Sequence, residues 1–575
     1  MVAFAIGAVA CVAQAQLVSD VNAIPKTGKL PVVFLNGFQL TCGDTTFKGT
    51  FGIADQILEK DGRASLFFDN CAASKDHPPI EELGNKFGQF LQSLKYATGE
   101  SVGQVDVVAH SMGGLILRSY LSGKQVQEGV FMPPADTRIR KAVFLGTPHF
   151  GSQLTLLLGG SNDRQGAEME IGSAFTFDLA TWNQGIDDLR GVDAVSVLGA
   201  AGNGQSFVIL PPRMAGFDDG VTSLTSGSLG FYAVGRTRIV PYCHTDIAGL
   251  LCSGSPPNLA DINGVDHLSA KVILSFLNDT DDWRSIGESA EQNTFLSKNA
   301  GLLLKYRDAS DREITPQSAT TTIAGRIGLR PPIVYSEFLP TEQPVPIILG
   351  LPNGQAQISI PLAPGSTRAV VAKSGPTILA VFPSASAAFP RVVAPGSLVS
   401  IYGSQLVSGA GDVEVTIAGQ KMPVSFASST QINTLVPEDA SGLLKVQVKN
   451  TAGEHTVNLL LESVVPSLFA PALNAATGTL VTEQSPLRPG DFVALFLTGL
   501  GKTTARDGLN WAVVQPEVTV GGQACAVTFA GRAPGYPGLD QINCQLASNV
   551  PINNAAQVVV RSGSRFSNAT TLPVR

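Results

Sequence analysis

The sequence is short of charge. Only 15% of its 575 residues are Asp, Glu, Lys or Arg, and the net charge is a mild −7. No basic face is visible that could neutralise a row of phosphates, which excludes nucleic acid as a partner. Long apolar runs are missing as well. Beyond the first fifteen residues no stretch reaches the roughly 20 apolar residues of a membrane span without a charge or a proline. Cysteines number seven, none in C-x-x-C spacing, so zinc binding and dithiol redox chemistry are not expected. No cluster of metal ligands stands out, and neither a metal nor a cofactor is called for.

Met1 to Ala15 is apolar and ends in Ala13-Gln14-Ala15, an A-x-A pattern, although a basic n-region is absent. We expect a signal peptide over 1–15 and a secreted, periplasmic or surface-attached protein. Cys11 is a poor lipobox match and leaves with that segment. The six that remain are Cys42, Cys71, Cys243, Cys252, Cys525 and Cys544. Neighbours along the chain fall in the same predicted domain, which suits three local disulfides; free buried thiols are the alternative.

What the chain does have is centred on residues 103–120. Val105 to Val108 form a strand-forming run, and from Leu115 apolar residues recur at helical spacing. Only Ala109-His110-Ser111-Met112-Gly113-Gly114 separates the two, which reads as a nucleophile elbow. A serine on so sharp a turn needs small residues two positions away on each side, and Ala109 and Gly113 supply them. The stretch resembles the Gly-His-Ser-Met-Gly-Gly-Leu-x-x-Arg elbow of lipases and related ester hydrolases of the α/β-hydrolase fold, with Ala109 in place of the first Gly and Arg118 at the matching position.

That resemblance organises residues 30 to 280. Leu30 to Leu35 is an apolar run that ends at Asn36-Gly37-Phe38, where lipases carry His-Gly-x. It implies that the backbone N–H groups of Phe38 and Met112 form the oxyanion hole, each worth on the order of 3 kcal/mol in the transition state. Helical spacing over 52–62 and 80–97, with Phe67 and Phe68 in a strand between, is the βαβ signature of a parallel sheet. Arg138 to Leu145 is a further strand. The Thr147-Pro148-His149 loop after it is similar to a lipase loop in which His149 has a structural or pocket role. Residues 153–200 read as helical and irregular, either an apolar lid or plain core.

The acid and base follow in the order Ser, Asp, His. After a strand expected over 206–210, Phe217-Asp218-Asp219-Gly220-Val221 resembles the turn that carries the lipase acid. We choose Asp219, with Asp218 the close competitor and Asp246 a weaker one. A strand expected over 231–235 leads into 236–241, a loop with no carboxylate. For the base, Gly264-Val265-Asp266-His267-Leu268-Ser269 precedes an apolar final helix and resembles the Asp-His-Leu-Ser segment at the end of lipase domains. This points to His267, whereas His244 has no such helix after it.

From about residue 284 the character changes to short strands with frequent Pro and Gly. We expect 16–283 to be the α/β-hydrolase domain and 284–388 an all-β sandwich. An internal repeat then pairs Pro395–Gly403 with Pro489–Phe496, Val415–Gln420 with Val518–Gln523, and Gln431–Asn433 with Gln541–Asn543. It predicts two immunoglobulin-like sandwiches, 389–470 and 471–575, resembling a tandem module of secreted bacterial proteins. Contact with a cell surface or polysaccharide is one expectation for them, an inert spacer the other. The reading is a lipase-like serine hydrolase of a lipid or other ester. Its rivals are a non-catalytic binding scaffold and an acyltransferase using the same triad.

Overall fold

The computed structural model describes residues 17–39, 47–71, 77–153, 163–184, 189–201, 217–233, 235–245, 252, 256–287, 290–323, 325, 327–385, 392–409, 412–563 and 565–575. The expected signal peptide, Cys42, Leu154 to Leu158, the strand expected over 206–210 and Asp246 all lie outside them.

Six parallel strands form the amino-terminal sheet: β1 (Val32–Leu35), β2 (Ser65–Phe68), β3 (Val105–His110), β4 (Ile139–Leu145), β5 (Asp193–Gly199) and β6 (Thr237–Val240). Their order is β2-β1-β3-β4-β5-β6. Both faces are covered, as a parallel sheet requires. Alternate residues divide between the two sides. Val33, Leu35, Val107 and Phe144 meet the helix Ile80–Ser93 through Leu83 and Phe87. Val32, Phe34, Val108 and Val143 meet the helix Leu268–Leu277 through Val272, Ile273 and Phe276.

Two of these strands differ from expectation. Asp193–Gly199 runs through a segment read as helical or irregular. The strand expected over 231–235 instead begins at Thr237, since Leu229–Phe231 is a 3-10 turn. β-Branched Thr237, Ile239 and Val240 favour extension, while Gly235 at φ +78° breaks it. Of the side chains weighed as a lid, Phe175, Phe177 and Leu179 join the main core. Trp182 packs on Val392, Ala394, Leu460 and Val465 of the following domains.

In the carboxy-terminal half, every strand-to-strand ladder among the described residues is antiparallel except one. Asn299–Arg307 lies between Ile333–Pro340 and Arg368–Lys373, the latter parallel to it, and faces a second sheet of Ser318–Thr321, Val345–Leu351 and Gly354–Ile360. Thr377–Pro383 does not belong to this unit. It pairs with Leu398–Ser404 in the next sandwich, so the boundary expected at 388 falls several residues too late. The internal repeat has the same pairing twice: Ile401 stands opposite Ile432 in the first copy, and Leu495 opposite Ile542 in the second. Cys525–Cys544 joins neighbouring strands of the second copy, and Cys243–Cys252 closes a loop in the hydrolase half.

Candidate active site

In open parallel sheets, ligands meet the crevice beyond the carboxyl ends of the strands, where the strand order switches. Here β1 lies between β2 and β3, and Leu35 is level with Ala109. The loop Asn36-Gly37-Phe38 therefore emerges beside the elbow. Ser111 follows β3 directly with φ +54° and ψ −126°, a backbone conformation that costs a non-glycine residue about 1 to 3 kcal/mol. Its surroundings explain the small residues. A Cβ on Gly113 would stand 2.4 Å from the Leu35 carbonyl oxygen, and one on Gly37 would stand 2.7 Å from the Ser111 Cβ. Neither position has room for a side chain.

Ser111 Oγ lies 2.8 Å from Nε2 of His244, and Nδ1 of His244 lies 2.8 Å from Oδ2 of Asp219. A carboxylate only accepts, so Nδ1–H donates to Asp219 and Nε2 is left to accept from the serine hydroxyl. Oδ1 of Asp219 takes the N–H groups of Val221 and Thr222 at 2.9 and 2.6 Å, which aims Oδ2 at the imidazole. Asp219 and His244 are buried, and Ser111 keeps 8% of its surface exposed. The His244 N–H donates to the Asp219 carbonyl at 2.8 Å, a second tie between the two loops.

His267, expected as the base, is not brought to Ser111. Its Nε2 is 3.0 Å from the Asn258 carbonyl, its ring lies 4.4 Å from that of Tyr242, and it occupies the N-cap position of the helix Leu268–Leu277. Burial lowers its basicity. The correction has a topological cause. Loops at the carboxyl ends of the strands open beside Ser111, and the loop after β6 brings His244 there, whereas His267 stands at the head of a helix. The clue in the sequence was the β-branched run at 237–240, whose following loop holds a histidine.

The competitors are placed elsewhere. Asp218 turns Oδ1 to the Gly220 N–H at 2.7 Å rather than to an imidazole. His149 is fully buried between Phe144 and Phe231, and its carbonyl accepts from Arg118; burial, and then that guanidinium, hold its ring neutral. His110 donates from Nε2 to the His244 carbonyl at 3.2 Å. Burial, and then the neighbouring His244, push it down to about 3, so it stays neutral.

Of the expected oxyanion donors, Met112 follows Ser111 in the chain and Phe38 belongs to the loop after β1. Met112 is the first residue of the helix Met112–Ser122, where N–H groups have no partner within the helix. Phe38 follows Gly37, which packs on Ser111. The loop is braced by Asn36, whose Oδ1 accepts from the Gly37 N–H and Thr50 Oγ1, and by Asn70 Nδ2 donating to the Gly37 carbonyl. A separate cavity of about 940 Å³ opens where the hydrolase half meets the first two sandwiches, between Phe177, Arg368 and His455. Ser111, His244 and Asp219 are not among the residues that line it.

A parallel sheet covered on both faces, with a serine raised at a strained strand-to-helix turn, defines an α/β-hydrolase fold carrying β-sandwich domains behind it. Residues 376–462 match the IPT/TIG domain family. No curated protein matches the chain. Among solved structures it is similar to phospholipase PlaB from Legionella pneumophila in complex with thio-NAD, at 14% identity and a TM-score of 0.45, over 60% of this chain and 93% of that one. Aspergillus fumigatus lipase B is 14% identical over 30% of this chain and 38% of its own, with a TM-score of 0.22. The surface glycan-binding protein PbSGBP-B from Prevotella bryantii is 15% identical over 34% and 41%, with a TM-score of 0.13. At such values the functional reading rests on the residues of this chain.

Proposed function

We propose that the protein is a secreted serine carboxylic ester hydrolase, lipase-like, that cleaves a lipid or other acyl ester through Ser111, His244 and Asp219. The observation that carries the reading is the unbroken hydrogen-bond chain from Ser111 Oγ through His244 to Asp219 Oδ2. A serine hydroxyl is too weakly acidic to attack an ester unaided. His244 Nε2 takes its proton as Oγ bonds to the carbonyl carbon, and Asp219 stabilises the imidazolium that forms. The carbonyl oxygen, now negative, receives the N–H groups of Phe38 and Met112. Collapse breaks the bond to the alcohol, which leaves with the proton from His244, and Ser111 is acylated. Water then repeats the sequence and releases the acid.

Secretion is supported by the two disulfides formed among the described residues, which suit an oxidising compartment. No helix among the described residues is long and apolar enough to cross a membrane. The test is labelling with a fluorophosphonate probe. Wild-type protein is expected to be labelled at Ser111, and Ser111→Ala to abolish both labelling and p-nitrophenyl ester hydrolysis. Folded wild-type protein that takes no label would sink the proposal.

A further inference from the structure

Phe38 sits between two anchored neighbours. The Gly37 N–H is taken by Asn36 and the Gly37 carbonyl by Asn70, while Gln39 donates from Nε2 to Asn70 Oδ1 at 3.0 Å. The Phe38 N–H itself makes no hydrogen bond among the described residues, as a group kept for substrate must. Its orientation is therefore left to the Phe38 side chain, which is partly buried against the main core. The ring meets that of His77 edge to face, with centroids 5.4 Å apart and planes at 68°.

His77 is in turn fixed from a distant stretch of chain. Its Nδ1–H donates to Asp163 Oδ2 at 2.5 Å, and Oδ1 of the same carboxylate accepts from the Gly166 N–H at 2.9 Å as the N-cap of the helix Arg164–Met169. Two further side chains of that helix reach the residues after His77. Gln165 Nε2 donates to the Pro78 carbonyl, and Glu168 Oε2 accepts from the Ile80 N–H, both at 2.8 Å. Within this grip His77 stands at φ +35°, a conformation that a residue with a Cβ seldom adopts and keeps only where its surroundings demand it.

We propose that His77 is a positioning residue for the oxyanion hole: anchored by Asp163, its ring backs Phe38 and keeps the Phe38 N–H aimed at the carbonyl oxygen of the ester. The inference rests on the Ser111–His244–Asp219 reading and on Phe38 as a donor. Such a donor acts on the charge that develops in the transition state, so its aim matters more to the reaction than to substrate binding. The stretch between β4 and β5, which holds none of the three triad residues, thereby sets the geometry of the hole through Asp163.

The test follows kcat and KM for a short p-nitrophenyl ester, and inhibition by an alkyl trifluoromethyl ketone whose adduct with Ser111 carries an oxyanion, all in the full chain. His77→Ala is expected to lower kcat by about tenfold to a hundredfold with KM nearly unchanged, and to weaken the ketone by the same factor. Asp163→Ser keeps an N-cap oxygen for the helix but is too short to reach His77; it should show the same pattern at about threefold to tenfold, and it decides the matter if the alanine variant does not fold. Combined, the two should cost no more than His77→Ala alone, because both act through one ring. An unchanged kcat in His77→Ala, or additive losses in the double variant, overturns the proposal. So does a raised KM at constant kcat, which would make the ring a wall of the acyl cleft. A purely structural role for His77 would lower the melting temperature while leaving the ratio of ketone inhibition constant to KM as in wild type, and that result also overturns it. Wild-type protein that takes no fluorophosphonate label brings down the hydrolase reading and this proposal together, whereas labelled wild type with an unaffected His77→Ala brings down this proposal alone.

Discussion

His244 and His267 both follow the elbow within the hydrolase half, in settings that differ in whether the ring meets Ser111. His267 stands at the start of a long apolar helix, in a sequence context that resembles lipases; His244 stands four residues past the end of a short strand with nothing around it that advertises chemistry. Yet His244 meets Ser111 at 2.8 Å, and His267 is turned to the Asn258 carbonyl. In a parallel sheet the carboxyl ends of the strands converge on one edge, so a loop after β6 reaches a serine after β3 from across two intervening strands. A helix N-terminus has no such guarantee, because helices lie along the faces of the sheet.

The widest separation between the two should come from removing each ring. His244→Ala is expected to lower kcat by about 10⁴-fold or more, on the scale of losing a member of a serine hydrolase triad. His267→Ala should stay within a few-fold of wild type, its main effect being on stability near the final helix. Equal losses in the two variants would erase the distinction drawn here. A smaller effect is expected from Gly146→Ala. Gly146 follows β4 directly with φ +58°, and a Cβ there would stand 2.9 Å from both Asp219 Oδ2 and His244 Nδ1. Wedging the acid from the base should reduce kcat by about tenfold to a hundredfold, measured with a soluble ester, while unfolding in denaturant reports whether the fold survives. Wild-type kinetics in this variant would mean that the Asp219–His244 contact is not limiting.

The smallest effect concerns the tether of the His244 loop. Cys243 is adjacent to His244, and the Sγ of its disulfide partner Cys252 lies 3.7 Å from the Asp219 carbonyl. Replacing both cysteines by serine is expected to cost about 2 kcal/mol of stability, in the range found for short disulfide loops. A loss of activity of several-fold should accompany it, while His267 is untouched. Thermal melting and kcat measured on the same preparation check both, and full activity in the double variant would show that the Asp219 and His244 backbone contacts suffice to hold the loop.

How much could be read in advance depended on how local the determinant was. The elbow is legible because its constraint is steric: Gly113 is forced by the Leu35 carbonyl, and Gly37 by the Ser111 Cβ. The turn at Asp219 was legible for the same reason, since the Val221 and Thr222 N–H groups that its carboxylate takes belong to consecutive residues. The tandem sandwiches were legible because period-two alternation and glycine turns recur in the same order in both copies, with Gln431 and Gln541 in matching strands. The strand at 237–240 was read a few residues too early, and His244 beyond it was passed over because no apolar helix follows it. Four residues of β-branched character give a weak signal beside a ten-residue apolar helix.

The sequence by itself determined the class of fold, the serine with its cramped elbow, the turn that holds the carboxylate, and the repeated sandwiches. Each is a demand that adjacent residues place on one another. Only the tertiary structure decided which imidazole meets the serine, across 133 residues of chain, and that a sandwich beyond the hydrolase domain bonds to the segment after the acid turn through Ser366 and Thr367. Those choices turn on which strand ends and which surfaces are brought face to face, and no local pattern encodes a meeting between segments so far apart.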